Sequence, residues 1–122
     1  MAKSLKQIAK QISDFADSRG WKNDEPNHLI TSLMIELSEL AEYFQWKKSF
    51  PEFSNDERKA VAFELVDVLV YMLQIANKSG IKDLEPYFLL KMEKLGEKFA
   101  IGADWHTVHE GYRKSGKNKF YD

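Results

Sequence analysis

The chain has no cysteine, which removes disulfide frameworks, thiolate zinc sites and cysteine nucleophiles together and makes a reducing cytosol the expected setting. It also lacks an excess of either charge. Eighteen Lys and Arg stand against 19 Asp and Glu, for a net charge of −1, so general attraction to DNA or to an anionic membrane is not expected and any acidic ligand must be held locally. No run approaches the ~18 consecutive apolar residues of a membrane span, and Met1 to Lys10 lacks a signal-peptide core. Internal repeats, low-complexity segments and alternating strand patterns are absent as well. A soluble, cytoplasmic protein is the expectation, with no membrane partner.

What is present points to helices. The 122 residues are 43% hydrophobic and 13% aromatic, enough for the packed interior of one compact domain. A domain this small buries only about two-thirds of its unfolded surface, so partner subunits are expected to cover some apolar faces. Leu5, Ile8, Ile12, Phe15 and Ala16 follow the helical period behind a Ser4/Gln7 capping box, and Gly20 closes that helix. After the polar stretch Trp21 to Asn27, which contains Pro26, a second helix carries Ile30, Leu33, Leu37, Leu40, Ala41 and Phe44 on one face and is predicted to end near Trp46–Lys48. Ser54 and Glu57 form another capping box, which opens a third helix running to about Lys78 and closed by Gly80. From Ala60 to Ala76 this helix is apolar nearly all round, which places it at the centre of a bundle or in an oligomer interface. A fourth helix follows Asp83, with Pro86 in its first turn and Leu84, Tyr87, Phe88, Lys91, Leu95 and Phe99 at helical spacing. The predicted fold is all-α, a four-helix bundle-like domain over 1–102 with an irregular tail over 103–122. The basic cluster Arg113, Lys114, Lys117 and Lys119 in that tail reads as solvated, so nucleic-acid binding is not expected.

Glu64 and Asp67 are the only carboxylates within the apolar run, three residues apart and so neighbours on one helix face. A buried carboxylate must be paired, protonated or metal-bound, and two side by side raise each other's pKa. A salt bridge to a lysine such as Lys91 and a metal site are both open readings. The second helix repeats the pattern with Glu36 at the edge of its apolar arc and Glu39 just beyond, whereas Glu42 lies nearly opposite. If these two helices pack antiparallel, the two acidic pairs meet. An all-oxygen set without His or Cys suits Mg²⁺ or Mn²⁺, and Mg²⁺ held this way usually also binds substrate phosphates.

Glu36-x-x-Glu39, a gap of 24 residues and Glu64-x-x-Asp67, set in "SLMIELSELAEYFQWKK" and "FELVDVLVYMLQIANKSGI", resemble the MazG-like all-α nucleoside triphosphate pyrophosphohydrolases, and particularly their dCTP pyrophosphatase branch. Arg19-x-Trp21 ahead of the second helix adds to the likeness, which covers roughly residues 5 to 100. The resemblance implies hydrolysis of a nucleoside triphosphate between its α- and β-phosphates, in a nucleotide-pool housecleaning role. It assigns Glu36, Glu39, Glu64 and Asp67 to Mg²⁺, with Mn²⁺ a possible substitute, and Glu39 is the preferred candidate to orient or deprotonate the attacking water. It places Trp21, Trp46 and Tyr71 near the base or sugar and Lys91 near phosphate. Trp46 and Tyr71 also suit plain core packing, and Lys91 a snorkelling role. A homodimer or homotetramer is implied too. The chain departs from the family pattern at Leu95, at Ala100, at Ile12, where the dCTP-hydrolysing relatives carry a histidine, and in the "KNDEP" segment after Trp21. These departures leave the acidic set intact and the base open. They also motivate an alternative, a nucleotide- or metal-binding module of the same fold that has lost catalysis.

Overall fold

The computed structural model describes residues 2–21 and 25–99 together with His106, Glu110, Gly111 and Lys114. Among these residues there are four helices and no strand: α1 (Leu5–Ser18), α2 (Pro26–Ala41), α3 (Asn55–Lys78) and α4 (Glu85–Lys98). The chain forms two compact units, Met1–Asp83 with α1 to α3 and Leu84–Asp122 with α4. The all-α class expected from the periodicity is the class observed. Most of the tail over 103–122 lies outside the described residues, and the four of its residues that are described have helical backbone.

Local chemistry sets most helix ends. Ser4 Oγ accepts from the Gln7 backbone N–H at 3.2 Å while the Ser4 N–H donates to Gln7 Oε1 at 2.7 Å. Ser54 and Glu57 repeat this reciprocal box at 3.2 and 3.0 Å, so each helix starts with two otherwise orphaned N–H groups satisfied. Gly20 and Gly80 follow the last residues of α1 and α3 with φ of 78° and 83°, a conformation that a Cβ disfavours. At Gly80 the closure is complete, because the Ile81 N–H reaches back to the Ala76 carbonyl at 2.8 Å and the Gly80 N–H to that of Asn77 at 3.2 Å, satisfying two terminal carbonyls. Helix α2 has no side-chain cap and starts on Pro26, whose fixed φ and missing N–H suit the first turn.

The end of α2 differs from the prediction. The α-helix stops at Ala41, short of Trp46–Lys48, and continues as tight turns in which Tyr43 and Phe44 donate to the carbonyls three residues back. Ring packing accounts for this. Phe44 meets Phe50 and Phe53 edge-on at 5.9 and 5.6 Å, and Tyr43 meets Phe53 at 6.3 Å, so the chain tightens and folds back on the segment that leads into α3.

Within the first unit α3 packs against both α1 and α2. Its Val61, Val68, Leu73 and Ala76 join Ala9, Ala16 and Leu29 in the core. Asn77 ties α3 to α1 by donating Nδ2–H to the Ala9 carbonyl at 3.1 Å. Other apolar side chains of α3, among them Phe63, Leu65, Val66 and Met72, are exposed. By length and composition alone α3 could cross a membrane. With Glu64 and Asp67 midway along it and two amphipathic helices packed on it, we read it as the central helix of the unit.

Candidate metal centre and adjoining cleft

Glu36 on α2 and Glu64 and Asp67 on α3 each bring a carboxylate oxygen within 4.8 Å of the others. Glu64 and Asp67 are adjacent because three residues make almost one helical turn, and Glu36 meets them across the α2–α3 interface. Glu36 and Glu64 are half-buried, and Asp67 is exposed. The Oε2 atoms of Glu36 and Glu64 are buried without a hydrogen-bond partner. Two inward-facing acceptors and no donor require a proton or a cation.

The electrostatics agree. Burial pushes the Glu36 carboxyl above its ordinary range, and the neighbouring carboxylates of Glu39, Asp67 and Glu64 push in the same direction. Glu64 is likewise raised first by burial and then by the charges of Glu39 and Asp67. Glu39, itself exposed, is therefore a close electrostatic neighbour of both half-buried glutamates, although the tight cluster is formed by the other three residues. The donor set is entirely carboxylate oxygen, which fits a hard divalent cation and argues against a soft or imidazole-preferring metal.

Beside the acids lies an open cleft of about 880 Å³, within the usual range for a small-molecule site. Its lining runs back along α2 from Glu36 through Ser32 to His28 as it runs forward along α3 from Asp67 through Tyr71 to Gln74, the order that antiparallel helices give. Helix α1 adds Ile8, Ile12 and Phe15. Trp21 completes that wall, edge-on to Phe15 at 5.6 Å, and the Arg19 guanidinium lies 4.5 Å from the Phe15 ring centre.

Among the aromatic residues expected at the base, Trp21 and Tyr71 line this cleft, but Trp46 does not and is 85% exposed. It stands in the turns after Ala41, whereas the family resemblance had placed it near the base. Lys91 lies in α4, within the second compact unit. Of the departures from the family pattern, Ile12 lines the cleft and Leu95 is in α4, while Ala100 and residues 22–24 lie outside the described residues. Gln74, Gln11, His28 and Ser32 also line the cleft, and of these only Gln74 has a signal in the sequence, as a lone amide in the apolar run of α3.

The chain is 33% identical over 103 residues to the dCTP pyrophosphatase 1 of Bos taurus, an alignment covering 80% of this chain and 60% of the relative. It is 37% identical over 95 residues to the dCTP pyrophosphatase 1 of Homo sapiens, covering 74% and 55%. The rat protein of the same name gives 32% over 103 residues, covering 80% and 60%. The match thus spans little more than half the length of these curated relatives. No family model matches the chain.

Proposed function

For this homologue of the MazG-like all-α nucleoside triphosphate pyrophosphohydrolases, we propose the same chemistry: metal-dependent hydrolysis of a nucleoside or deoxynucleoside triphosphate to the monophosphate and pyrophosphate, clearing surplus or noncanonical nucleotides in the cytoplasm. One observation carries the reading. Two buried, partnerless carboxylate oxygens, on Glu36 and Glu64, stand in an all-oxygen cluster that opens onto a nucleotide-sized cleft, in a chain homologous to dCTP pyrophosphatases.

Glu36, Glu64 and Asp67, with Glu39 beside them, would hold Mg²⁺ or, as a substitute, Mn²⁺. The cation supplies neutralisation of phosphate charge and a more acidic bound water. Glu39 is exposed and adjacent to both half-buried glutamates, a position suited to accepting a proton from water at the rim of the cluster. Trp21 and Tyr71 offer ring surfaces for a base or sugar within the same cleft. Lys91 is proposed as a phosphate contact on the sequence resemblance alone. The same resemblance and the apolar residues exposed on α2 and α3 support assembly as a homodimer or homotetramer.

The test is a product assay. Incubation with a panel of nucleoside triphosphates and Mg²⁺ yields monophosphate and pyrophosphate in equal amounts, and Glu64→Gln lowers turnover at least about 100-fold. Orthophosphate as the primary product, or turnover that survives both EDTA and Glu64→Gln, overturns the reading. Nucleotide binding without turnover would favour the noncatalytic module.

A further inference from the structure

Gln74 is the one polar side chain among the described residues to be almost wholly enclosed, at 3% exposure. Its Oε1 is buried with no hydrogen-bond partner, although burying an amide oxygen is unfavourable unless something donates to it. It faces the cleft that also contains Glu36 and Asp67, two helical turns along α3 from Asp67 and about 10 Å along the helix axis. That distance is of the order of a nucleotide's span from its α-phosphate to the far edge of its base. Gln74 also lines a smaller hollow of about 150 Å³, with Ser13, Asp17, Asn77 and Lys78. There the Asn77 amide nitrogen is committed to the Ala9 carbonyl. In the lining of the main cleft, the Gln74 oxygen joins Glu36 Oε2 as a buried acceptor without a partner, and Gln74 is the uncharged one of the two, with Tyr71 one turn before it.

We infer that Gln74 is a specificity-determining residue that reads the nucleobase, its Oε1 accepting a hydrogen bond from the exocyclic amino group that cytosine and adenine carry beside a ring nitrogen. This rests on the nucleotide reading of the cleft. An amide fits such an edge because it presents an acceptor and a donor side by side, matching the amino N–H and the neighbouring ring nitrogen. Uracil and hypoxanthine place a carbonyl oxygen where the amino group stands, setting acceptor against acceptor. A site built to hydrogen-bond a substrate group rejects the analogue that lacks it, because its own buried partner is left unpaired.

The experiment uses the full chain as wild type, Gln74→Leu and Gln74→Met, the second variant guarding against a folding defect in the first. With Mg²⁺, kcat/KM is measured for dCTP against dUTP and for dATP against dITP. Binding of dCMP against dUMP, and of dAMP against dIMP, is measured by calorimetry in EDTA. The wild type is expected to favour the amino-bearing member of one pair by about tenfold or more, which identifies the base. Both variants are expected to bring that ratio within about twofold of unity, chiefly through KM. Equal treatment of both pairs by the wild type, as an amide free to turn its nitrogen to the base would give, or a ratio that survives in the variants, overturns the inference. If no triphosphate is hydrolysed but the monophosphate ratio is present in the wild type and lost in the variants, the hydrolase reading fails and the role of Gln74 stands.

Discussion

Glu36 and Glu64 hold their protons more tightly in the folded chain than a free glutamate does, because burial and neighbouring carboxylates oppose ionisation. A raised folded-state pKa contributes stability that is fully present below the ordinary value of 4.5 and is lost as pH rises through the folded values. Metal-free protein in EDTA is therefore expected to melt at a higher temperature near about pH 5 than near about pH 7.5. Glu57 works in the other window. Its hydrogen bonds with the Ser54 backbone and side chain lower its pKa, so its contribution is present above 4.5 and lost only as pH falls through its lowered value. In the double variant Glu36→Gln/Glu64→Gln the upward trend on acidification should flatten. The same variant should lose the rise in melting temperature that Mg²⁺ gives the wild type, since a cation that binds only the native state stabilises it by mass action. Thermal scans across pH, with and without Mg²⁺, read both effects, and an unchanged pH slope in the double variant would reject the assignment. The acidic cluster was legible in the sequence because carboxylates inside an apolar run are out of place. Gln74 stands in the same run, but an uncharged amide is a weaker signal, and only its enclosure marks it out.

At the scale of the elements, what the sequence revealed divides by range. Both capping boxes and both glycine stops involve groups within a few residues of each other, so local spacing sufficed to foresee them. The early end of α2 depends on Tyr43 and Phe44 meeting Phe50 and Phe53 across a turn, a packing preference that helical periodicity does not carry. The cap on α3 matters beyond that helix, because α3 carries Glu64, Asp67, Tyr71 and Gln74 together. Ser54→Ala is expected to cost about 1 kcal/mol, seen as a lower denaturation midpoint with an unchanged slope. Since the site lies more than two turns from the cap, kcat/KM in native conditions should change by less than about twofold. A large loss of activity in fully folded Ser54→Ala would show that the first turn of α3 belongs to the site.

For the molecule as a whole, the question is what covers its apolar surface. In the first unit α2 exposes Ile30, Met34, Ile35 and Leu37, and α3 exposes Phe63, Leu65, Val66 and Met72. Single exposed apolar side chains are ordinary, but rows of them on two packed helices are not what a monomer in water shows. A bilayer could cover such a surface, yet α3 would then carry Glu64 and Asp67 into the hydrocarbon, where ionisable groups are costly. A second copy of the chain would cover it at no such cost, in the closed symmetry that most soluble oligomers adopt. The native mass in detergent-free buffer is therefore expected to be two or four times the 14.2 kDa of the chain. Leu65→Glu, on the exposed side of α3, should shift that mass toward one chain and lower the melting temperature. A protein that stays in solution at the mass of a single chain, or one that requires detergent, would overturn the assembly. If the variant yields folded monomers, their activity decides whether the cleft needs a second subunit: turnover equal to wild type means that one three-helix unit contributes the whole of the acidic cluster and the base wall, and a rise in KM alone means that the neighbouring copy closes over the base.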